Sequence, residues 1–246
     1  MRFDLHIHSH HSHDSLMDEA TIVNEALRKG LDGIAVCDHN RFVGTEALEQ
    51  QAYGRLTVIP AAEYATDAGH MLIFFLKEDC RPYTEVNEKG LLRLESLKKE
   101  AQRQGALLFA AHPLKRRKAL PEGLTEAVCG LEVCNSRAMS LRASDASRLS
   151  RHCRQHGLSR CGGSDAHIPQ EIGRCWTEVE GDVYRALAEG RTRVFGRAGW
   201  RLHSAESHRR CPANKTVRLT LPLRYVKNAC QDLWRLASRL KGAKEY

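Results

Sequence analysis

The sequence predicts an α/β protein arranged as a barrel. Seven short apolar runs recur along the chain, at 4–8, 33–38, 57–63, 71–76, 106–112, 130–135 and 159–163. Stretches of helical periodicity separate most of them, and strands alternating with helices argue for parallel βαβ units. No glycine-rich phosphate loop follows the first run, which disfavours a dinucleotide-binding sheet. About seven strands suit a barrel better than a doubly wound sheet.

The first helix follows the first strand. Asp18 can cap its N-terminus, Glu19 lies in its first turn, and Gly30 ends it. Ile22, Val23, Ala26 and Leu27 form its apolar face. Later helices are expected at 44–53, 85–104 and 140–156. At 246 residues, 42% hydrophobic and 28% charged, with a mean hydropathy of −0.47, the chain can fill one barrel core. No run reaches the roughly 18 apolar residues of a membrane span. The first fifteen residues, MRFDLHIHSHHSHDS, carry acids and histidines where a secretory segment is apolar. Nine cysteines without a CxxC pair read as free thiols. A cytoplasmic, reducing location is the expectation.

Charge is unevenly placed. The net charge is +8, yet residues 197–246 hold twelve Lys/Arg against three Asp/Glu, a net +9. The other 196 residues are nearly neutral. The domains expected are therefore 1–196 and a basic extension, 197–246. Within the extension, 215–221 alternates like a strand and 223–240 places Val226, Leu233 and Leu240 on one helical face. That helix could dock on the barrel, pair with another subunit or lie on an anionic surface. The basic charge is either a solvated face or a contact for nucleic acid or another polyanion.

Chemistry-bearing residues cluster at the ends of the candidate strands. His6 and His8 share one strand face at the end of the first. Asp14 follows in the next loop, His39 ends the second strand, Glu63 ends the third, and His70 precedes the fourth. His112 ends the fifth, and Asp165 and His167 follow the seventh. The C-terminal strand ends of a parallel barrel converge on one face, where active sites lie. Six histidines and three carboxylates exceed the needs of one ion, which points to a polynuclear metal site. Imidazole mixed with carboxylate suits Zn, Mn or Fe and not all-oxygen Mg or Ca. Asp38 reads as orienting His39 or its loop, Cys134 as packing, and His10 and His11 as exposed loop histidines. Gly162 and Gly163 let backbone pass close to the site.

The motifs HIH, SHDS, CDHN, PAAE, GHMLIFF, AAHP, EVCN and GSDAH, in this order, resemble the PHP superfamily (polymerase and histidinol phosphatase domain) over about residues 3–196. The closest likeness is to its small stand-alone metal-dependent phosphoesterases. The resemblance implies a distorted (β/α)7 TIM-like barrel with a trinuclear centre. It implies that His6, His8 and Asp165 bind one metal and that Glu63 bridges it to a second. His70 and His112 complete the second, and Asp14, His39 and His167 hold the third. Some members carry histidine where Asp14 stands, which leaves adjacent His13 as an alternative. The extension after Gly196 matches none of these motifs.

The reaction expected is hydrolysis of a phosphate monoester or small nucleotide by a metal-activated hydroxide. Two or three divalent ions (Mn, Zn or Fe) would serve it, with Asp14, His39, Glu63, Asp165 and His167 catalytic. No serine lies in a nucleophile elbow. The phosphate clamp should include arginine. Arg116 and Arg117 in KRRK and Arg137 after EVCN are candidates, with Asn135 lining the pocket. The second reading is a nuclease of the same superfamily that holds RNA or DNA through the basic tail. A metal-dependent C–N or C–O hydrolase is a third, and a protein with a purely structural metal a fourth.

Overall fold

The computed structural model describes residues 1–115, 117–139, 145–197 and 244–245. The strands are β1 (Arg2–Ile7), β2 (Gly33–Val36), β3 (Thr57–Thr66), β4 (Gly69–Phe74), β5 (Leu107–Ala110), β6 (Gly130–Asn135), β7 (Ser159–Gly163), β8 (Cys175–Val179), β9 (Thr192–Gly196) and β10 (Lys244–Glu245). The helices are α1 (Glu19–Arg28), α2 (Glu46–Ala52), α3 (Leu94–Gln104), α4 (Leu124–Ala127), α5 (Ser136–Met139), α6 (Asp145–His156) and α7 (Val183–Ala188). One sheet runs β10-β9-β8-β1-β2-β3-β4-β5-β6-β7. It curls until the end of β7 meets β1. Asp165 N donates to His6 O at 2.7 Å, His8 N to Ala166 O at 2.9 Å, and Ser164 N to the Asp4 carboxylate at 2.8 Å. The result is the distorted TIM-like barrel of seven strands.

Gly163 makes the closure possible. A Cβ there would stand 2.4 Å from His6 Cβ and 2.5 Å from His6 N, so only glycine admits the approach.

Period-two alternation builds the barrel interior. Ala35, Cys37, Ile59, Ala61, Leu72, Phe74, Leu107 and Phe109 belong to one buried cluster. The Phe74 and Phe109 rings meet edge-on at 5.4 Å, a contact that contributes about 0.5–1.5 kcal/mol beyond area burial. Alternate residues such as Ala62, Tyr64, Ile73 and Leu131 face the helices. Followed one step further, the inward rows end in polar residues: 59, 61, then Glu63; 35, 37, then His39; 74, 72, then His70. The same alternation that plugs the barrel thus presents polar, ionisable side chains above the plug. In β1 the register against β2 shifts between Asp4 and Ile7. Leu5 stays in the interior cluster while Ile7 packs on the helix layer. A bulge of this kind re-aims the side chains that follow it.

Several expectations need correction. Not all strands are parallel: β4 runs antiparallel to β3 and β5. A two-residue turn, Asp67–Ala68, leaves no room for a crossover, and Gly69 takes φ +125° to make it. β3 therefore continues to Thr66, past Glu63, and His70 lies inside β4 instead of before it. The helix expected at 85–104 begins only at Leu94. Asn87 accepts from Lys89 N at 2.9 Å and Leu91 N at 3.1 Å, fixing a turn where a helix was expected. α1 matches its expected signals: the Asp18 side chain accepts from Thr21 N at 2.8 Å. β8, β9, α4, α5 and α7 were not anticipated. The strand at 215–221, the helix at 223–240, Arg116 and the start of the helix at 140 lie outside the described residues. Among those described, no helix is long and apolar enough to cross a membrane.

Candidate metal centre

Nine side chains from six strand ends and their loops meet at one end of the barrel. His6 and His8 are fully buried and face each other, Nε2 to Nε2, at 3.1 Å. Asp165 Oδ1 lies 3.4 Å from His8 Nε2. Glu63 occupies the middle. Its Oε2 is 2.8 Å from His39 Nδ1 and 3.6 Å from both His6 and His8 Nε2. Its Oε1 is 2.8 Å from His70 Nδ1 and 3.1 Å from His112 Nε2. Asp14 Oδ2 is 2.9 Å from His167 Nε2, and Asp14 Oδ1 is 3.6 Å from His39 Nε2. The reversal of β4 is what brings His70 here: an antiparallel strand delivers its N-terminal end to the face where its neighbours end.

This density of donors fits cations. Asp14 Oδ1, Glu63 Oε2 and His167 Nε2 are buried and make no well-directed hydrogen bond, a costly state for polar atoms unless an ion takes them. Four groups of three donors each come within 4.8 Å: His6–His8–Asp165, His6–Glu63–His112, His39–Glu63–His70 and His8–His39–His167. Imidazole with carboxylate is the chemistry of Zn, Mn or Fe.

The charges are strongly coupled. Burial alone would raise the Glu63 carboxyl, yet the neighbouring His6 and His39 hold it well below its ordinary value. Asp165 is held down in the same way, against burial, by Lys115 and His6. Burial pushes His39 down, but Glu63 and Asp14 outweigh it and raise it to about 10. Burial likewise opposes charge on His6, and Glu132, Glu63 and Asp165 reverse the balance upward. His8 goes the other way, lowered by burial and by His39 and His167.

Supporting residues fix these side chains. Glu132, inside β6, accepts from His6 Nδ1 at 2.9 Å, from His112 N at 2.7 Å and from Asn135 Nδ2 at 2.9 Å. Ser12 Oγ donates to Asp38 at 2.5 Å, accepts from His39 N at 3.1 Å and lies 3.2 Å from His8 Nδ1. Asp38 also accepts from Ser9 N and Ser9 Oγ, so it anchors the 9–12 loop. Five non-glycine residues among those described take positive φ, and Asn40, His112 and Asp165 sit at the centre. Backbone strain concentrated at a site is a mark of function.

The proposed substrate-binding residues fare differently. Arg117 lies at the rim, donating to Ala68 O at 2.7 Å. Beside it is a cavity of about 240 Å³ lined by His70, Met71, His112, Lys115 and Leu124. Asn135 is buried, and its amide donates to Glu132 and, at 3.4 Å, to Asp165. Arg137 is buried too, with Nε 3.2 Å from both oxygens of Glu171. Glu171 in turn accepts from His167 N at 2.9 Å. Cys134 is buried in the core.

Three residues escaped the sequence reading. Lys115 Nζ donates to Asp165 Oδ2 at 3.0 Å; it begins KRRK, of which only the arginines were weighed. Glu132 could have been found as an acid inside an apolar strand, since a buried carboxylate needs partners. Ser12 carries no such signal.

Sequence and structure comparisons place this architecture in a family. A model described as the PHP domain matches residues 4–133, and one described as PHP-associated matches 148–192. The chain belongs to the PHP domain family. It is 32% identical over 126 residues to an uncharacterized protein of Methanocaldococcus jannaschii, spanning 46% of this chain and 68% of that one. A two-domain protein of Bacteroides vulgatus, described as containing a predicted PHP-like metal-dependent phosphoesterase, is 25% identical with a TM-score of 0.63. The match covers 80% of this chain and 65% of that one. An amidohydrolase from Chromobacterium violaceum shares the fold at 16% identity and a TM-score of 0.57, over 77% of this chain and 96% of that one.

Proposed function

We propose that this chain is a phosphoesterase that hydrolyses a phosphate monoester or small nucleotide at a trinuclear metal centre. The observation that carries the reading is the pair of faces on Glu63. One oxygen looks to His6, His8 and His39, the other to His70 and His112. Such a carboxylate is placed to bridge two ions. His6, His8 and Asp165 would hold the first, His70 and His112 the second, and Asp14, His39 and His167 a third. Divalent ions in such a site acidify water and neutralise charge on a phosphoryl group.

The chain's own groups do the rest. Lys115, about one-third exposed, sits between Asp165 and the 240 Å³ cavity, where its ammonium can meet a phosphate oxygen. Arg117 lies further out in the same cavity and supplies a second cation. Met71, Ala110, Ala111, Pro113 and Leu124 give the cavity an apolar wall that limits water. Glu132 accepts from His6 Nδ1 and so leaves Nε2 as the donor atom facing the centre. Arg137 acts through Glu171 and His167, a positioning role in place of the direct phosphate contact first expected.

The net +9 of residues 197–246 favours a second reading, a nuclease that holds nucleic acid through its tail. One experiment separates the two. Metal-analysed protein is given small phosphomonoesters, nucleoside bisphosphates and short 5′-phosphorylated RNA at low and high salt. The first reading predicts turnover of small esters with little salt dependence. Turnover of the oligonucleotide alone, falling steeply with salt, supports the second.

A further inference from the structure

The loop between β1 and α1 carries two histidines that the nine-residue centre does not use. His10 Nδ1 and His11 Nε2 approach one oxygen, Oε1 of Glu19, at 3.9 Å and 3.6 Å. Their rings stand side by side, centroids 4.1 Å apart and tilted by 36°. The histidine–carboxylate separations are too long for hydrogen bonds. They are close to what one ion needs: ligand atoms about 2.0–2.1 Å from a tetrahedral ion stand roughly 3.4 Å from one another. All three donor atoms lie within 4.8 Å of one another.

The backbone holds this arrangement before any ion arrives. His10 N donates to Met17 O at 2.8 Å, which closes the loop just ahead of the helix. Ser9 Oγ accepts from His11 N at 3.2 Å and itself donates to Asp38 at 2.6 Å. Glu19 is the first residue of α1, whose start is set by the Asp18 cap.

We infer that His10, His11 and Glu19 form a peripheral metal site, separate from the nine-residue centre and selective for borderline transition ions such as zinc, nickel or copper. Two imidazoles and one carboxylate suit those ions, whereas calcium and magnesium prefer all-oxygen sets. His10 and His11 are 43% and 33% exposed. Water therefore completes the coordination and the ion exchanges freely with solvent. The site joins α1 to the loop that also carries His8 and Asp14, so occupancy staples that loop to the helix.

The test compares the full-length protein with a His10→Ala/His11→Ala variant, the nine-residue centre of each first loaded and unbound metal removed. Both are then dialysed against zinc, and total metal is counted. The site predicts one equivalent fewer in the variant, and affinity about tenfold or more weaker in Glu19→Gln. Histidine ring NMR of the unaltered protein supplies an independent reading. Substoichiometric nickel should broaden the His10 and His11 signals first. Equal zinc counts in wild type and variant, or unbroadened His10 and His11 signals, would overturn the inference.

Discussion

Glu63 Oε1 and His70 Nδ1 lie 2.8 Å apart across the β3–β4 hairpin, paired strands that run in opposite directions. The contact exists because Asp67–Ala68 turns the chain straight back, so His70 near the start of β4 comes alongside Glu63 in the second half of β3. Glu63 is the hub that this geometry completes. Glu63→Gln should keep the fold, lose at least one equivalent of metal and lower phosphoester turnover by about a hundredfold or more. Elemental analysis alongside kinetics checks it; full metal content with normal turnover would refute the bridging role.

Lys115 Nζ donates to Asp165 Oδ2 at 3.0 Å at the edge of the cavity, and the proposed reading makes it a phosphate ligand. Lys115→Met should raise KM for small phosphoesters about tenfold while metal content stays within error of wild type. A variant with unaltered KM would assign Lys115 to charge balance alone.

Glu132 accepts from His6 Nδ1 through one oxygen and from the His112 backbone N–H through the other, so the carboxylate is the element that sets which imidazole nitrogen of His6 faces the centre. Glu132→Gln should weaken metal binding about 10–100-fold. Competition with a chelator of known affinity measures this, and an unchanged apparent Kd would contradict it.

Arg137 and Glu171 form a buried pair, 6% and 1% exposed. Removing the guanidinium takes the charged partner from a buried carboxylate, so Arg137→Met should destabilise the protein by about 3–5 kcal/mol in denaturant titration. A direct phosphate ligand would instead leave the unfolding midpoint alone and raise KM.

Thiol reactivity should follow burial. Burial pushes Cys80 up to about 12 and Cys153 to about 11. A raised thiol pKa means less thiolate at any pH below it, so both should resist alkylation at pH 8. Cys129 is exposed and should react within the same period. Mass-spectrometric mapping of the native protein decides; rapid labelling of Cys80 would contradict the packing.

Much of the centre was legible because its side chains sit at strand ends in short local patterns. His6 and His8 are two apart in one strand, and Asp165 and His167 are two apart after another. The β6 and β7 boundaries were legible too, since each apolar run is bounded by turn residues. What escaped depends on pairing between distant segments. The direction of β4 is set by a two-residue turn that apolar periodicity does not register. Glu132 and Lys115 gain their roles from partners 126 and 50 residues away. The sequence offers Arg137 as a phosphate ligand, and nothing local in it reveals the buried Glu171 whose oxygens lie 3.2 Å from its Nε.

The central claim, that the nine converging side chains make a metal-dependent phosphoesterase, is tested most directly by metal removal and return. The full-length protein is stripped with a chelator, its residual metal counted, and its turnover of a small phosphomonoester measured before and after manganese or zinc is restored. The account predicts two or three equivalents rebound, activity lost with the metal and regained with it, and in Glu63→Gln at least one equivalent fewer rebound with turnover about a hundredfold or more lower. Turnover that persists in the stripped protein would contradict it.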